Sequence, residues 1–322
     1  MRPRAFSFKG PDAVTTGGSI EASGWRVPTA ADNRRGVLLM IGAMAVFASQ
    51  DALSKRLAEE YAPVFITLIR YGFFALFVVA LAARERGGLR AAVRTRFPVL
   101  QCLRGVLLAA EIVVAVTGFA LLGLVASHSV FACYALIVAA LSGPILGERV
   151  GWRRWLAIAV GFCGVLVILR PGFGVFDPLA LIPLGAAFMF ALYGLLTRYV
   201  NRADGAATSF FYTGVAGLAF IACVAPFFWT PFETAEDWAW MAALCVTGVS
   251  GHYLLIKALD AAEASTVQPF AYLHLVFSAI LGVTLFGETV EAPLVVGAAM
   301  IVGAGLFTFW RERARSREGR EG

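Results

Sequence analysis

The feature that most constrains this chain is a close succession of ten apolar runs between residues 37 and 310. They fall at roughly 37–57, 63–83, 99–121, 124–146, 152–170, 178–198, 206–228, 238–259, 264–286 and 291–310. A helix needs about 20 apolar residues to cross a hydrocarbon core of about 30 Å, and each run meets that length. The runs are continuous rather than alternating, which excludes a transmembrane barrel. Almost no amphipathic helix separates them, which argues against buried helices of a large soluble protein. Only 15% of the 322 residues are charged and 59% are hydrophobic, whereas soluble domains carry about a quarter charged residues. The solvent that tolerates so little charge is lipid, so the fold class expected is an all-α membrane protein with ten transmembrane helices.

The net charge of +6 would fit a nucleic-acid partner if the basic residues were clustered on one surface. They sit instead in tails and short connections, so no nucleic acid is expected. With the N-terminus in the cytoplasm, Arg34, Arg35, Arg84, Arg86, Arg90, Arg94, Arg96, Arg149, Arg153, Arg154, Arg198 and Arg202 fall inside. Outside fall Lys55, Arg56 and Arg170, and the outer loop at 230–237 is acidic. Inside-positive loops set orientation, so both termini are expected in the cytoplasm. Residues 1–35 are rich in Gly, Ser, Thr, Ala and Pro without the apolar stretch of a signal peptide, and read as a disordered cytoplasmic tail. Residues 311–322 read as a basic cytoplasmic tail. The five cysteines stand singly inside apolar runs with no CxxC, so no disulfide frame, metal site or cofactor is expected.

The chain repeats itself. Residues 125–150, VASHSVFACYALIVAALSGPILGERV, align without a gap on 265–290, STVQPFAYLHLVFSAILGVTLFGETV. Gly147-Glu148 falls on Gly287-Glu288. Residues 41–71 align on 184–214, with Phe47-Ala48 on Phe190-Ala191 and Ser54-Lys55 on Thr197-Arg198. Five spans per half is an odd number, so the second half enters the membrane upside down. Such inverted repeats are the architecture of many secondary transporters, with the site near the midplane between the halves.

Ten spans in two halves, each closing on a Gly-Glu turn, resemble the drug/metabolite transporter superfamily, specifically its EamA-like members. Lys55 at the end of the first span, Arg70-Tyr71 in the second and the stretch 147–172 carry the likeness further. The resemblance implies two EamA-like five-helix repeats, 36–172 and 178–310, forming a basket around a central cavity. It also implies a monomer or homodimer in a bacterial cytoplasmic (inner) membrane. Such a protein moves small organic molecules without ATP by alternating access, and outward movement is expected. Thr213-Gly214 stands where the first half has Arg70-Tyr71, so the site need not be symmetric.

Ionisable residues at bilayer depth face the bundle interior and mark pathways. Asp51 and Arg70 come to similar depth on antiparallel neighbours and are expected to form an ion pair, for which Lys55, four residues from Asp51, competes. Glu111, Tyr134 and His274 fall near mid-bilayer and are expected to line the substrate site, with Glu and His able to carry a coupling proton. His128, Gln268 and His252 are further substrate-site candidates. Arg104 is expected to snorkel to the cytoplasmic headgroups. The three histidines lack the spacing of a metal box and no GxxxxGK[ST] is present. The alternatives are a channel, or a membrane-embedded enzyme acting on a small or lipidic substrate.

Overall fold

The computed structural model describes residues 30–84, 88–147, 151–169, 178–201, 203–262 and 264–321. Among these there are helices and turns and no strand. The helices are α1 (Ala30–Ala58), α2 (Pro63–Arg84), α3 (Gly88–Val93), α4 (Pro98–Leu122), α5 (Leu124–Phe131), α6 (Tyr134–Leu146), α7 (Trp152–Leu169), α8 (Leu181–Val200), α9 (Ala206–Val224), α10 (Ala235–Ala261), α11 (Ala264–Val267), α12 (Leu273–Phe286) and α13 (Ala292–Glu321). Among the described residues, eight helical stretches are long and apolar enough to cross a membrane, and two shorter apolar helices lie at Trp155–Leu169 and Ala292–Thr308.

Three boundaries differ from those expected. The first helix begins at Ala30, inside the segment read as tail, with Asp32 in its first turn, where a carboxylate suits the positive end of the helix dipole. The last helix runs on through the basic residues to Glu321. Each member of the repeated pair, 124–146 and 264–286, is broken rather than continuous. α5 gives way to α6 at Ala132–Cys133, and α11 passes through a 3-10 turn, Gln268–Tyr272, into α12. Pro269 lacks the N–H that a continuous helix would use there. Both copies end on a glycine in the left-handed region, Gly147 at φ +76° and Gly287 at φ +64°. A glycine there closes a helix without Cβ strain, which accounts for one residue of each Gly-Glu turn. Glu148, Arg86, Arg149, Arg170 and Arg202 lie outside the described residues.

The surface is apolar and part of the interior polar. Leu76, Val99, Phe227 and Trp152 are exposed, while Gln101, Arg104, Glu111 and His128 are buried. Side chains distributed this way suit a hydrocarbon surround. One apolar cluster, with Leu136, Ile137, Val165, Ala191 and Ile301 at its heart, fills the space between α6, α7, α8 and α13. There α7 and α13 touch backbone to backbone, because a Cβ on Gly164 would stand 2.7 Å from the Gly297 carbonyl oxygen. Helix pairing runs mainly between the two halves of the sequence. α1 packs on α10 and α12, α4 on α8 and α9, α2 on α9, α6 on α8, and α5 on α12.

Candidate functional site

Three elements meet where the repeated helices break. α1 supplies Asp51, α5 supplies His128 and α12 supplies His274. His128 Nε2 lies 2.9 Å from Asp51 Oδ2, and His274 Nε2 lies 2.9 Å from the same oxygen. The approach from His274 is off the line of a hydrogen bond, whereas that from His128 is aligned. The three atoms lie within 4.8 Å of one another. His128 Nδ1 is 3.0 Å from the Leu124 carbonyl oxygen, one turn back on the same helix. A carbonyl only accepts, so Nδ1 carries the hydrogen. The His128 ring stacks on Phe119, with centroids 4.9 Å apart and planes 8° from parallel. Phe47 flanks His274 at 6.3 Å. Apolar rings thus hold both imidazoles against one carboxylate.

The expected Asp51–Arg70 ion pair is therefore corrected: Asp51 is engaged by two histidines, and no ion pair joins it to Arg70 among the described residues. The three histidines lack box spacing in the sequence, yet two of them meet at one carboxylate 77 or more positions away. Depth estimated along single helices put Asp51 and Arg70 level, but side-chain direction decides which neighbours meet.

Lys55 does not compete for Asp51. Its ammonium lies 2.5 Å from Glu288 Oε1, both side chains being largely buried, and 4.2 Å above the Phe286 ring. Glu288 also accepts from the backbone N–H groups of Leu124 and Val125, each at 2.8 Å. These are the first amides of α5, two of the donors a helix start leaves without partners. Gly123, at φ +89°, and Gly282 make room for the carboxylate; a Cβ on either would stand within 2.6 or 2.7 Å of it. Glu288 was not among the residues singled out from the sequence. Its signal was there: Lys55 and Glu288 match Arg198 and Glu148 in the repeat.

Glu111, on α4, is 4% exposed and has no hydrogen-bond or ion-pair partner among the described residues. Arg70 is half-buried and likewise lacks one. Its charge acts on Glu111, Tyr71 and His252, and Glu111 is in turn within electrostatic reach of Asp51. His252, exposed on α10, stands edge-on to Phe47 at 5.0 Å and bonds through Nδ1 to the Gly248 carbonyl at 2.8 Å. Tyr134 stands apart, packed edge-on against Phe190 at 5.1 Å and beside Phe131. Gln268 lies in the 3-10 turn before α12; its side chain lies outside the described ones. Glu111 thus comes within electrostatic reach of Asp51 and His274 lies against it, whereas Tyr134 belongs to a separate aromatic group. Buried polar atoms without partners include Gln50 Oε1, Tyr71 Oη and Ser278 Oγ.

Arg104 does not snorkel. It is 1% exposed and donates to Gln101 Oε1, Tyr193 Oη, Thr197 Oγ1 and the Ser209 carbonyl. Gln101 links it to Asp204, which also accepts from the Thr95 hydroxyl and the Arg96 N–H. Burial alone would raise the Asp204 carboxyl. The hydrogen bonds from the Arg96 N–H, Thr95 and Gln101 outweigh it and hold that carboxyl below the usual range. This network ties α4 to α8 and α9 at the end of the bundle opposite Lys55.

Apolar helices that keep an acid and two imidazoles inside beside breaks in the helices, and a guanidinium inside further along, define a multi-pass membrane protein of the transporter class. Comparison with known proteins gives the family. Residues 34–170 and again 178–310 match the EamA-like transporter family. The chain is 27% identical over 281 residues to the S-adenosylmethionine uptake transporter of Rickettsia prowazekii (strain Madrid E), covering 86% of this chain and 93% of that one. It is 32% identical over 255 residues to the riboflavin transporter of Rhizobium johnstonii, covering 77% and 82%. A solved crystal structure shares the fold at a TM-score of 0.58 and 18% identity, covering 85% of this chain and 96% of that chain. This protein belongs to the EamA-like transporter family, within the drug/metabolite transporter superfamily. It is a membrane transporter of small molecules and not an enzyme.

Proposed function

We propose that the protein is a secondary transporter that carries a small organic metabolite across the cytoplasmic membrane by alternating access, coupled to protons. In this reading ten spans form two inverted halves, 36–172 and 178–310, with both termini in the cytoplasm. The observation that carries it is the matched break in the two repeated spans, at Ala132–Cys133 and at Gln268–Tyr272, beside buried ionisable groups. Discontinuous helices in corresponding positions of two halves are where secondary transporters bind substrate. Helix pairing supports the symmetry, since α1 on α10 is mirrored by α8 on α4, and α1 on α12 by α8 on α6. Reporter fusions at residues 175 and 234 are expected to read outside, and at residue 90 and the C-terminus inside. A cytoplasmic reading at 234 would sink the inverted arrangement.

The substrate site proposed lies between α1, α2, α4 and α10. Arg70 and Glu111 offer a guanidinium and a carboxyl without hydrogen-bond or ion-pair partners among the described residues, with His252 alongside. Tyr134 and Gln268 stand further off as second contacts. Such a pair suits a metabolite that itself carries both signs. S-adenosylmethionine, with its carboxylate, ammonium and sulfonium, fits this better than neutral riboflavin. The direction proposed is inward, following the relative named for uptake, in place of the outward movement expected from the sequence. Uptake of labelled S-adenosylmethionine and of riboflavin into proteoliposomes tests the reading. A carrier saturates and shows counterflow, and Glu111→Gln is expected to abolish uptake while leaving the fold intact. A flux that neither saturates nor exchanges makes it a channel.

A further inference from the structure

The same three elements are joined twice, in two layers. In one layer Asp51 of α1 meets His128 of α5 and His274 of α12. In the other, Lys55 of α1 and the first amides of α5 meet Glu288, which follows α12 and folds back so that its N–H donates to the Gly282 carbonyl at 3.1 Å. On α1 the layers are one turn apart, Asp51 to Lys55; on α5 they are one turn apart as well, Leu124 to His128. Resting on the topology proposed above, the Lys55–Glu288 layer closes the outer end of the bundle.

The inner layer holds a proton by necessity. The Leu124 carbonyl fixes the hydrogen of His128 on Nδ1. A neutral His128 then turns a lone pair toward Asp51 Oδ2, and an ionised Asp51 turns a lone pair back. Two acceptors do not sit aligned at 2.9 Å unless a proton lies between them. We propose that Asp51 and His128 share the coupling proton of transport, and that its departure opens the outer Lys55–Glu288 gate. When the proton leaves to water, Asp51 carboxylate and neutral imidazole remain and repel. α1 and α5 then separate at His128, and the amides of Leu124 and Val125, one turn above, are drawn off Glu288. A proton taken from outside restores the contact and shuts the gate, the order an inward proton-coupled carrier needs.

Other charged groups stand around the triad. Glu111 on α4 lies within electrostatic reach of Asp51, while Lys55 above is already neutralised by Glu288. His274 is the third member. From α10, His252 is separated from the triad by the Phe47 ring, which contacts both it and His274. From α2, Arg70 acts on Glu111 rather than forming a pair with Asp51.

Hydrogen–deuterium exchange of the full-length protein in liposomes, read on peptides covering residues 123–130, tests this without needing a substrate. A gate linked to one proton opens about tenfold more per pH unit above the pair's pKa, on top of the intrinsic rise of amide exchange. Wild type is expected to show that extra slope. Asp51→Asn places an amide N–H where the proton was, so it is expected to stay protected and follow the intrinsic line alone. Glu288→Ala is expected to exchange fast at every pH, because it takes the acceptor from the Leu124 and Val125 amides and leaves the trigger in place. Wild type parallel to the intrinsic line overturns the proposal, and this comparison stands even where a variant fails to fold. So does an extra slope that disappears with EDTA, which assigns the triad to a bound divalent cation. A pH-linked gate in a protein that moves neither tested metabolite leaves this inference standing and removes the proposed substrates. Saturable uptake with no pH-linked gate does the reverse.

Discussion

Replacing Lys55 with Met removes the ammonium and keeps most of its unbranched stem. Both side chains of the Lys55–Glu288 pair are largely buried, at 9% and 12% exposure. Removing one partner of a buried pair costs about 3–5 kcal/mol, because the other charge is left uncompensated. Glu288 would keep its two amide donors at 2.8 Å, and hydrogen bonds to a charged acceptor are strong, so Lys55→Met is placed at about 3 kcal/mol. Glu288→Ala does more. It strips the acceptor from two amides of α5 and leaves Lys55 with the Phe286 ring 4.2 Å away, a contact worth about 2 kcal/mol or more when desolvated and too weak to replace the carboxylate. That change is placed at about 5 kcal/mol. With both changes made no buried charge stands alone, so the double variant is expected to fall short of the sum by about 3 kcal/mol. Denaturant titration of the full chain in mixed micelles, followed by circular dichroism, measures all four corners of the cycle. Additivity within about 0.5 kcal/mol would refute the pairing.

Three further outcomes follow from the geometry. Arg104→Leu removes the donor to Gln101, Tyr193, Thr197 and Ser209 and is expected to destabilise by about 3 kcal/mol, read in the same titration. A double-mutant cycle on Asp51→Asn and Arg70→Gln is expected to be nearly additive, whereas Asp51→Asn with His128→Gln is expected to be coupled by more than about 0.5 kcal/mol; the reverse pattern would return Asp51 to Arg70. The hydrogen bonds that hold Asp204 below the usual carboxylate range contribute stability that is complete above the unfolded value of about 3.9 and is lost as pH falls through the folded value. Melting temperature is thus expected to drop in that acid window for wild type and to drop less for Asp204→Asn.

What was legible in the sequence is what depends on one helix at a time. Length and continuous apolarity marked the apolar helices, eight of them long enough to span among the described residues, and the aligned stretches fell within the two family-matched segments. Gly147 and Gly287 marked the two helix ends, since a left-handed cap needs a residue without Cβ. The site was legible only as a set of ionisable groups that had to face inward. Which of them meet was not, because partners lie far apart in sequence and side-chain direction is set by packing between halves. Asp51 and Arg70 looked level by rise per residue, yet α1 turns Asp51 toward α5 and α12. Arg104 looked able to reach the headgroups, but Tyr193, Thr197 and Ser209 come from α8 and α9 to meet it. The helix breaks at 132–133 and 268–272 were half legible, through Pro269 in one copy and nothing comparable in the other.

For the carrier proposed above, the repeat bears on which parts would be duplicated. Lys55 has Arg198 as its counterpart and Glu288 has Glu148, so the charge types of the gate occur in both halves. Asp51 falls on Gly194, His128 on Gln268, and His274 on Tyr134. No member of the triad keeps an acid or an imidazole in the opposite half. A gate is needed at each end of an alternating-access carrier, whereas a coupling proton has to be counted once per cycle. Two titrating triads on one pseudo-axis would let protons cross without substrate. In the proposed mechanism Gly194, Gln268 and Tyr134 supply no second acid–imidazole triad and so no such leak. Tyr134 packs against Phe190 instead, where its counterpart His274 meets Asp51.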